Sequence, residues 1–268
     1  MAQRALSTGD ESLAETLHAV LLATRLACAD VKVGEKALAQ LTGALTSVKL
    51  SELYAALVGL HALKRARVVT DVPAFDGAVK ALLLLSNDDG KFRASPSAKE
   101  ATAFNAGLAF EALALVGDAA HRTAAVVQLG KLLAALETSD GVGGAQSFRD
   151  ALDESATSLA NVRATAAVVH GLVELERAGT KLAALTDQHT AKLALFFAQL
   201  KRPRSLAEAA AIARGLAASS ARGAQRTPLI VSLVEATRTA ITVQVRIVVV
   251  VVADVLNFNF FFKKKLGN

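Results

Sequence analysis

Several residue types are scarce in this 268-residue sequence, which has no tryptophan, one tyrosine, one cysteine and four prolines. Cys28 is alone, so an intrachain disulfide is excluded, and its apolar neighbours favour a packed thiol over a nucleophile. The low proline content permits long helices, because proline disrupts a helix interior. Aromatic residues make up 4% of the chain and hydrophobic residues 53%. The core must therefore consist mainly of alanine, leucine and valine, which favours closely packed helices.

The sequence also lacks a concentration of charge. Its formal net charge is +6, a mild excess for this length, and the lysines and arginines are scattered. Nucleic-acid-binding proteins usually gather basic residues on one face and often add aromatic residues for base stacking. We therefore expect no nucleic-acid partner. The first ten residues contain no apolar segment like that of a secretory signal. If the protein is secretory, we expect this chain to lack its true beginning.

Metal-ligand spacing is missing as well. The five histidines are His18, His61, His121, His170 and His189. No two of them have the spacing of a metal site, and a single cysteine cannot build a structural zinc site. We therefore predict no metal-binding residues.

Two loops are superficially similar to ligand-binding motifs. The segment 140–144 (Asp-Gly-Val-Gly-Gly) is rich in glycine, but it lacks the G-x-x-x-x-G-K-S/T pattern and does not follow a strand. The segment 87–90 (Asn-Asp-Asp-Gly) is as acidic as a calcium loop but lacks the later glutamate of an EF-hand. A helix connection and a turn are the better interpretations.

Charged clusters give no clearer indication of chemistry. Asp150, Asp153 and Glu154 could serve in acid–base catalysis, but we expect them at a helix start, where acidic residues interact favourably with the helix dipole. The basic segments 64–67 and 201–204 are interpreted as solvated helix ends or loops, with acidic partners or lipid head groups as alternative roles. We therefore predict no catalytic or cofactor-binding residues, and no cofactor.

Helical periodicity dominates from about Ser12 to Thr239. First helices are predicted to begin near residues 12, 50, 97, 162 and 205, and second helices at 33–45, 73–85, 119–136 and 185–200. Ser12 with Glu15 has the pattern of a capping box. In three helices a glutamate precedes a glycine by seven residues: Glu52 and Gly59, Glu100 and Gly107, Glu208 and Gly215. Close helix packing is one physical reason to keep such a glycine, and the recurrence favours helix-hairpin repeats.

These patterns predict an all-α fold of irregular helix-hairpin repeats, either an α/α superhelix or a partial toroid, with a short β-prone C-terminal tail. Residues 1–11 are expected to form a flexible N-terminus and residues 12–226 the helical repeat domain. The segment 227–268 alternates apolar and polar residues and then becomes rich in valine and phenylalanine. It is too short and too interrupted for a membrane span. We interpret it as a truncated β-prone segment with an atypical tail.

Three stretches carry a resemblance to a known family. In the first, an acidic helix end meets a glycine pair over 136–144, and 151–157 then leads into an alanine-rich helix at 164–175. In the second, over 195–209, a helix and a basic turn precede the sequence Ser-Leu-Ala-Glu-Ala. The third is Val-Gln-Val at 243–245, which is similar to the opening of a β-sandwich. In this order the stretches resemble the ribophorin II family, whose members are non-catalytic subunits of the oligosaccharyltransferase complex. The resemblance covers most of the helical part, roughly Ser12 to Val245. The tail after Arg246 departs from the family pattern.

The resemblance implies an accessory subunit that supports protein N-glycosylation in the endoplasmic reticulum, with other oligosaccharyltransferase subunits as partners. It implies a lumenal location and membrane association through regions absent from this chain, which would be a fragment or an aberrant gene product. No active-site residue is carried over, since the catalytic subunit is a different chain. The first alternative is a soluble HEAT-like scaffold for protein–protein interaction. The second is an enzyme of the helical-toroid type, which the scarcity of tyrosine and tryptophan disfavours.

Overall fold

The computed structural model of the chain describes residues 12–25, 33–134, 136–138, 144–150, 154–200, 203–222, 229–236, 240–251 and 254–265. These ranges are mostly helical, which confirms the predicted all-α fold with a minor β component. Two compact units are present: Met1–Ala134 with Glu174–Leu182, and Ala135–Val173 with Ala183–Asn268. Within the described ranges, no helix has both the length and the hydropathy that crossing a membrane requires.

The described ranges contain nine α-helices. In chain order they are α1 (Leu13–Arg25), α2 (Glu35–Gly43), α3 (Leu50–Arg65), α4 (Asp76–Leu83), α5 (Ala103–Val116), α6 (Ala119–Ala134), α7 (Leu159–Arg177), α8 (Asp187–Gln199) and α9 (Leu206–Arg222). A short 3-10 helix, Ala44–Thr46, follows α2. With one exception, the helices begin within three residues of the predicted starts.

The exception is α5, which was predicted to begin at Ser97 and instead begins at Ala103. The preceding residues Ala101–Thr102 form β2, which pairs antiparallel with β1 (Phe92–Arg93) and keeps the backbone extended. The Thr102 hydroxyl then accepts the N–H of Asn105 at 3.1 Å and caps the helix. Strand pairing and a threonine cap therefore delay the helix beyond Glu100.

The first unit is built around α3. This helix packs against α1 and α5, and α2 and α4 also contact it. Ten of its 16 residues are buried, because a helix with neighbours on so many sides must be apolar nearly all round. Leu60 of α3 joins Val20 of α1 and Leu41 of α2 in one hydrophobic cluster.

One polar contact crosses this core. The Tyr54 hydroxyl on α3 donates to Glu111 Oε2 on α5 at 2.8 Å, and both side chains are buried. A buried carboxylate is costly unless donors satisfy it, so the single tyrosine of the chain offsets part of that cost.

In the second unit, α8 and α9 pack against each other. A Cβ atom on Gly215 of α9 would lie 2.2 Å from Cζ of Phe197 on α8. In the first unit, a Cβ on Gly59 would lie 3.1 Å from Leu41 Cδ2. Close helix packing is thus the structural reason for glycine at Gly215, and Gly59 has a milder form of the same constraint.

A short hairpin of the second unit is tied to α7 by one hydroxyl. β3 (Glu137–Thr138) pairs antiparallel with β4 (Gln146–Ser147), and Phe148 follows. The Phe148 N–H donates to Thr165 Oγ1 at 3.0 Å, and the same hydroxyl lies 3.2 Å from the Phe148 carbonyl oxygen. Thr165 is fully buried, so it satisfies backbone groups that no water could reach.

The predicted β-prone tail forms strands. β5 (Leu229–Ala236), β6 (Ala240–Val251) and β7 (Asp254–Lys265) make an antiparallel sheet in the order β5-β6-β7. β6 pairs with β7 along its whole length, from Ala240 opposite Lys265 to Val251 opposite Asp254. The valine-rich composition of β6 suits a pleated strand, since β-branched side chains are favoured there.

Candidate functional site

The glutamates that recur near helix starts accept hydrogen bonds from residues just before their helices. Ser12 donates its N–H to Glu15 Oε2 at 2.9 Å and its hydroxyl hydrogen at 2.7 Å, and Glu15 returns its N–H to Ser12 Oγ at 3.4 Å. The hydroxyl bond and then the backbone bond from Ser12 lower the pKa of Glu15. The predicted capping box is confirmed.

Two other glutamates occupy the same third position of their helices. Glu52 accepts the Ser47 hydroxyl at 2.7 Å and Lys49 Nζ at 2.9 Å, and these bonds lower its pKa in that order. Glu208, only 4% exposed, accepts the N–H of Arg204 at 2.6 Å. The recurrence of glutamate is thus explained by helix initiation. This explanation does not apply to Glu100, which lies outside α5.

The two basic segments have different environments. Arg204 donates through Nη2 to the Thr157 carbonyl oxygen at 2.6 Å and to Glu208 Oε1 at 3.4 Å, so it connects parts of the second unit. Lys201 and Arg202 lie outside the described residues. Lys64, Arg65 and Arg67, in contrast, are exposed at the end of α3.

Arg67 has an unusual backbone, with a φ of 58°. Its N–H donates to Lys64 O at 3.0 Å, and the Val68 N–H donates to Leu63 O at 3.0 Å. This is the Schellman arrangement, in which glycine normally occupies the left-handed position. α7 ends in the same way with Gly179 at that position, φ 82°, and Thr180 N–H bonded to Leu175 O.

The segment 87–90 is a turn, as predicted. The Asn87 N–H donates to Lys91 O at 2.8 Å, and Asp89 Oδ1 accepts the Lys91 N–H at 3.0 Å. Gly90 has a φ of 84°, and a Cβ there would lie 2.3 Å from the Gln128 carbonyl oxygen of α6. Two independent constraints, conformation and space, therefore require glycine at this position.

Two of the five histidines take part in helix starts. His121 donates its N–H to Asp118 Oδ1 at 2.8 Å, which is the main cause of the lowered pKa of Asp118. His189 and Thr186 form a capping box, with Thr186 Oγ1 accepting the His189 N–H at 3.2 Å and His189 Nδ1 accepting the Thr186 N–H at 3.3 Å. His61 is half-buried, and burial followed by the charges of Arg65 and Lys64 lowers its pKa.

The structure does not bring His18 and His170 together with these residues as a metal site. Across the described ranges, no three histidine, cysteine, aspartate or glutamate side chains form a group that could hold a metal ion. The absence of catalytic and cofactor-binding residues stays a prediction.

The prediction that the acidic residues lie at a helix start was wrong for Asp150 and Glu154. Asp150 and Glu154 were expected at a helix start, but α7 begins later, at Leu159. The Asp150 N–H donates to Asn161 Oδ1 at 2.8 Å, and the Glu154 carbonyl oxygen accepts from Arg149. These backbone bonds shape the loop before α7. Asp153, the segment 140–143 and Cys28 lie outside the described residues.

A cleft that the sequence did not indicate lies in the first unit. Ala119, Arg122, Thr123 and Val126 form one wall, and Ala178, Gly179, Thr180 and Lys181 form the other, around a volume of about 330 Å³. The first wall is one face of α6, because its residues are spaced by three and four positions. The second is the reversal of the chain after α7. We call this feature the basic cleft.

The basic cleft is cationic on both walls. Arg122 contributes from α6 and Lys181 from the facing loop, and no carboxylate is among the described residues that line the cleft. Arg122 Nη1 donates to the Gly117 carbonyl oxygen at 2.5 Å, which orients the guanidinium group. The nearby Asp118 contacts His121, whose Nδ1 lies 3.0 Å from Oδ1, and the charge of Arg122 also contributes to the lowered pKa of Asp118. Arg122 and Lys181 are far apart in sequence, so no local pattern could have joined them.

A second concavity, in the second unit, is lined by residues including Leu172, Leu193 and Ser219. Its volume of about 10 Å³ is barely that of one water-sized probe. It therefore offers no room for a ligand.

Comparison with known proteins gives one match. The family model described as the Ribophorin II N-terminal domain matches residues 2–220. This range includes the resembling stretches at 136–175 and 195–209 and ends before 243–245. No curated protein and no solved structure matches the chain.

Proposed function

The chain belongs to the ribophorin II N-terminal domain family, and on that basis we propose that it is an accessory, non-catalytic subunit of the oligosaccharyltransferase complex. It supports protein N-glycosylation on the lumenal side of the endoplasmic reticulum membrane and binds other subunits of the complex. The family match across residues 2–220 is the observation that carries this proposal.

The contacts of the candidate residues support a non-catalytic role. Glu15, Glu52 and Glu208 serve helix starts, Asp89 serves a turn, and Arg204 holds a loop. Side chains already committed to local structure are poor candidates for acid–base chemistry, which needs a group aimed at a substrate. In this proposal the catalytic residues belong to another subunit.

The proposal also assigns different roles to different segments of the chain. Residues 12–226 form the helical domain that presents surface to partners, arranged as degenerate helix-hairpin repeats. The predicted N-terminal segment 1–11 lies outside the described residues, and 227–268 form a separate β-prone segment.

Affinity purification tests the proposed role. The 268-residue chain would be expressed with an epitope tag behind an endoplasmic-reticulum leader, solubilised in mild detergent and recovered with its bound proteins. We expect mass spectrometry to find oligosaccharyltransferase subunits enriched over a matched control, an unrelated helical lumenal protein with the same leader and tag. Equal recovery of those subunits from both samples would contradict the proposal and would favour the general scaffold.

A further inference from the structure

We propose that the basic cleft of the first unit binds an acidic segment of a partner protein. This inference deepens the proposed function, and it rests on that function only for the identification of the partner as another subunit. The binding chemistry itself rests on the geometry of the cleft.

The size of the cleft suits a piece of polypeptide. A volume of about 330 Å³ leaves room for a carboxylate side chain and a few atoms of its backbone. Docking pockets for small groups begin at this size. Apart from Arg122 and Lys181, the lining residues are small, so an extended chain could approach the walls closely.

The charges of the cleft select an anion. Arg122 and Lys181 contribute one cation from each wall. Within the described part of the chain, neither has a carboxylate within ion-pair distance: Asp118 contacts His121 and interacts with Arg122 only at longer range, and Glu174 pairs with Arg177. The Gly117 bond uses one of the five guanidinium N–H donors of Arg122, and the remaining donors can bind a carboxylate with two parallel bonds.

The lining residues also argue against other occupants. None of the described lining residues is aromatic, so neither a sugar ring nor a nucleic-acid base would find a stacking surface among them. Ala119, Val126 and Ala178 supply apolar contact beside the cations. Free phosphate would use the cations but leave these apolar contacts unused, whereas an acidic peptide would use both.

Fluorescence anisotropy with a labelled hexaglutamate peptide tests the binding chemistry. The purified 268-residue chain would be titrated into this probe at low ionic strength, since salt screens exposed charge pairs. A hexaglutamine peptide serves as the uncharged control, and inorganic phosphate is tested separately as a competitor. We expect saturable binding of hexaglutamate, little binding of hexaglutamine, and displacement by phosphate only at high concentration.

Two matched double variants locate the binding site. Arg122→Gln with Lys181→Gln removes both cations of the cleft, and Lys64→Gln with Arg65→Gln removes two exposed cations at the end of α3. Both change the net charge by the same amount. We expect the cleft variant to bind hexaglutamate about tenfold more weakly, the combined effect of two partly exposed charge pairs, and the control variant to bind nearly as the natural chain does.

A third variant protects the test against a folding defect, because Arg122→Gln also removes the bond to Gly117. Lys181→Glu alters only an exposed loop residue, and circular dichroism would verify that it folds. We expect it to abolish binding of hexaglutamate. Equal losses in the cleft and control variants, equal binding of hexaglutamine, or binding of phosphate without hexaglutamate would each overturn the inference.

The same variants separate this inference from the proposed function. If the natural chain recovers oligosaccharyltransferase subunits and the cleft variant recovers them equally well, the cleft inference fails and the proposed function stands. If the natural chain recovers none, the proposed function fails, and the anisotropy titration still decides whether the cleft binds acidic peptides.

Discussion

Gly215→Ala is expected to destabilise the second unit, because the added methyl group would collide with the ring of Phe197. The methyl carbon would lie 2.2 Å from Cζ and 2.5 Å from both Cε atoms. Carbon atoms in contact are normally about 3.5–4.0 Å apart, so the ring would have to withdraw by more than about 1 Å. Phe197 is 1% exposed and has Phe196 beside it, with the ring centroids 5.3 Å apart, which leaves little space for that movement.

The magnitude follows from two opposing effects. Overpacking a filled core typically costs about 1–3 kcal/mol. Alanine in a helix is favoured over glycine by about 1 kcal/mol, which offsets part of the loss. The free energy of unfolding should therefore fall by roughly 0–2 kcal/mol for Gly215→Ala.

Two other helix glycines serve as matched controls. A Cβ on Gly130 of α6 would meet nothing within 4 Å, so Gly130→Ala should show the full helix gain of about 1 kcal/mol. A Cβ on Gly59 would lie 3.1 Å from Leu41 Cδ2, so Gly59→Ala should fall between the other two. Comparing the three variants removes the helix-propensity contribution that every glycine-to-alanine change in a helix shares.

Urea unfolding followed by far-ultraviolet circular dichroism would measure this ranking. The transitions of the two units would be fitted separately if they do not coincide, because a single free energy is defined only for a two-state transition. If the slope of the unfolding free energy against urea concentration is the same in all variants, differences in midpoint report differences in stability. If Gly215→Ala raised stability as much as Gly130→Ala, the close approach of α8 and α9 at this glycine would be refuted.

Four further substitutions have definite expected outcomes. Arg67→Gly should stabilise the first unit by roughly 1 kcal/mol or less, because it relieves the strain of a positive φ, about 1–2 kcal/mol, while the greater freedom of glycine in the unfolded chain offsets about 0.4–1 kcal/mol. Gly179→Ala at the equivalent position of α7 should be destabilising. Opposite shifts in urea midpoint would verify this, and shifts of the same sign would contradict it. Thr165→Val should cost about 1–3 kcal/mol in the same assay, since the Phe148 N–H would be buried without a partner; a near-zero effect would argue against the bond. His61→Gln should flatten the pH dependence of stability: the pKa of His61 is lowered by folding, so the unfolded chain takes up more protons, and stability is lost as the pH falls below the ordinary histidine value of about 6.5. Unfolding midpoints at several pH values between 5 and 8 would measure it, and an unchanged slope would contradict the reasoning.

The amino-acid sequence by itself determined the helical class and most helix starts. The pair Ser12 and Glu15 predicts a helix cap because both partners lie within one turn. The turn at 87–90 could be predicted because its hydrogen bonds join residues close in sequence. The β-prone tail was readable for the same reason, since valine-rich alternation acts through neighbouring residues. The family resemblance likewise depended on stretches of contiguous sequence.

Only the tertiary structure decided which distant residues meet. The late start of α5 depends on the pairing of β2 with β1, and the need for glycine at 215 depends on Phe197 from another helix. The basic cleft joins Arg122 and Lys181, which no periodicity connects. Capping and helix propensity act over a few residues, whereas packing and the gathering of charges depend on how helices are arranged in space, which a linear pattern does not contain.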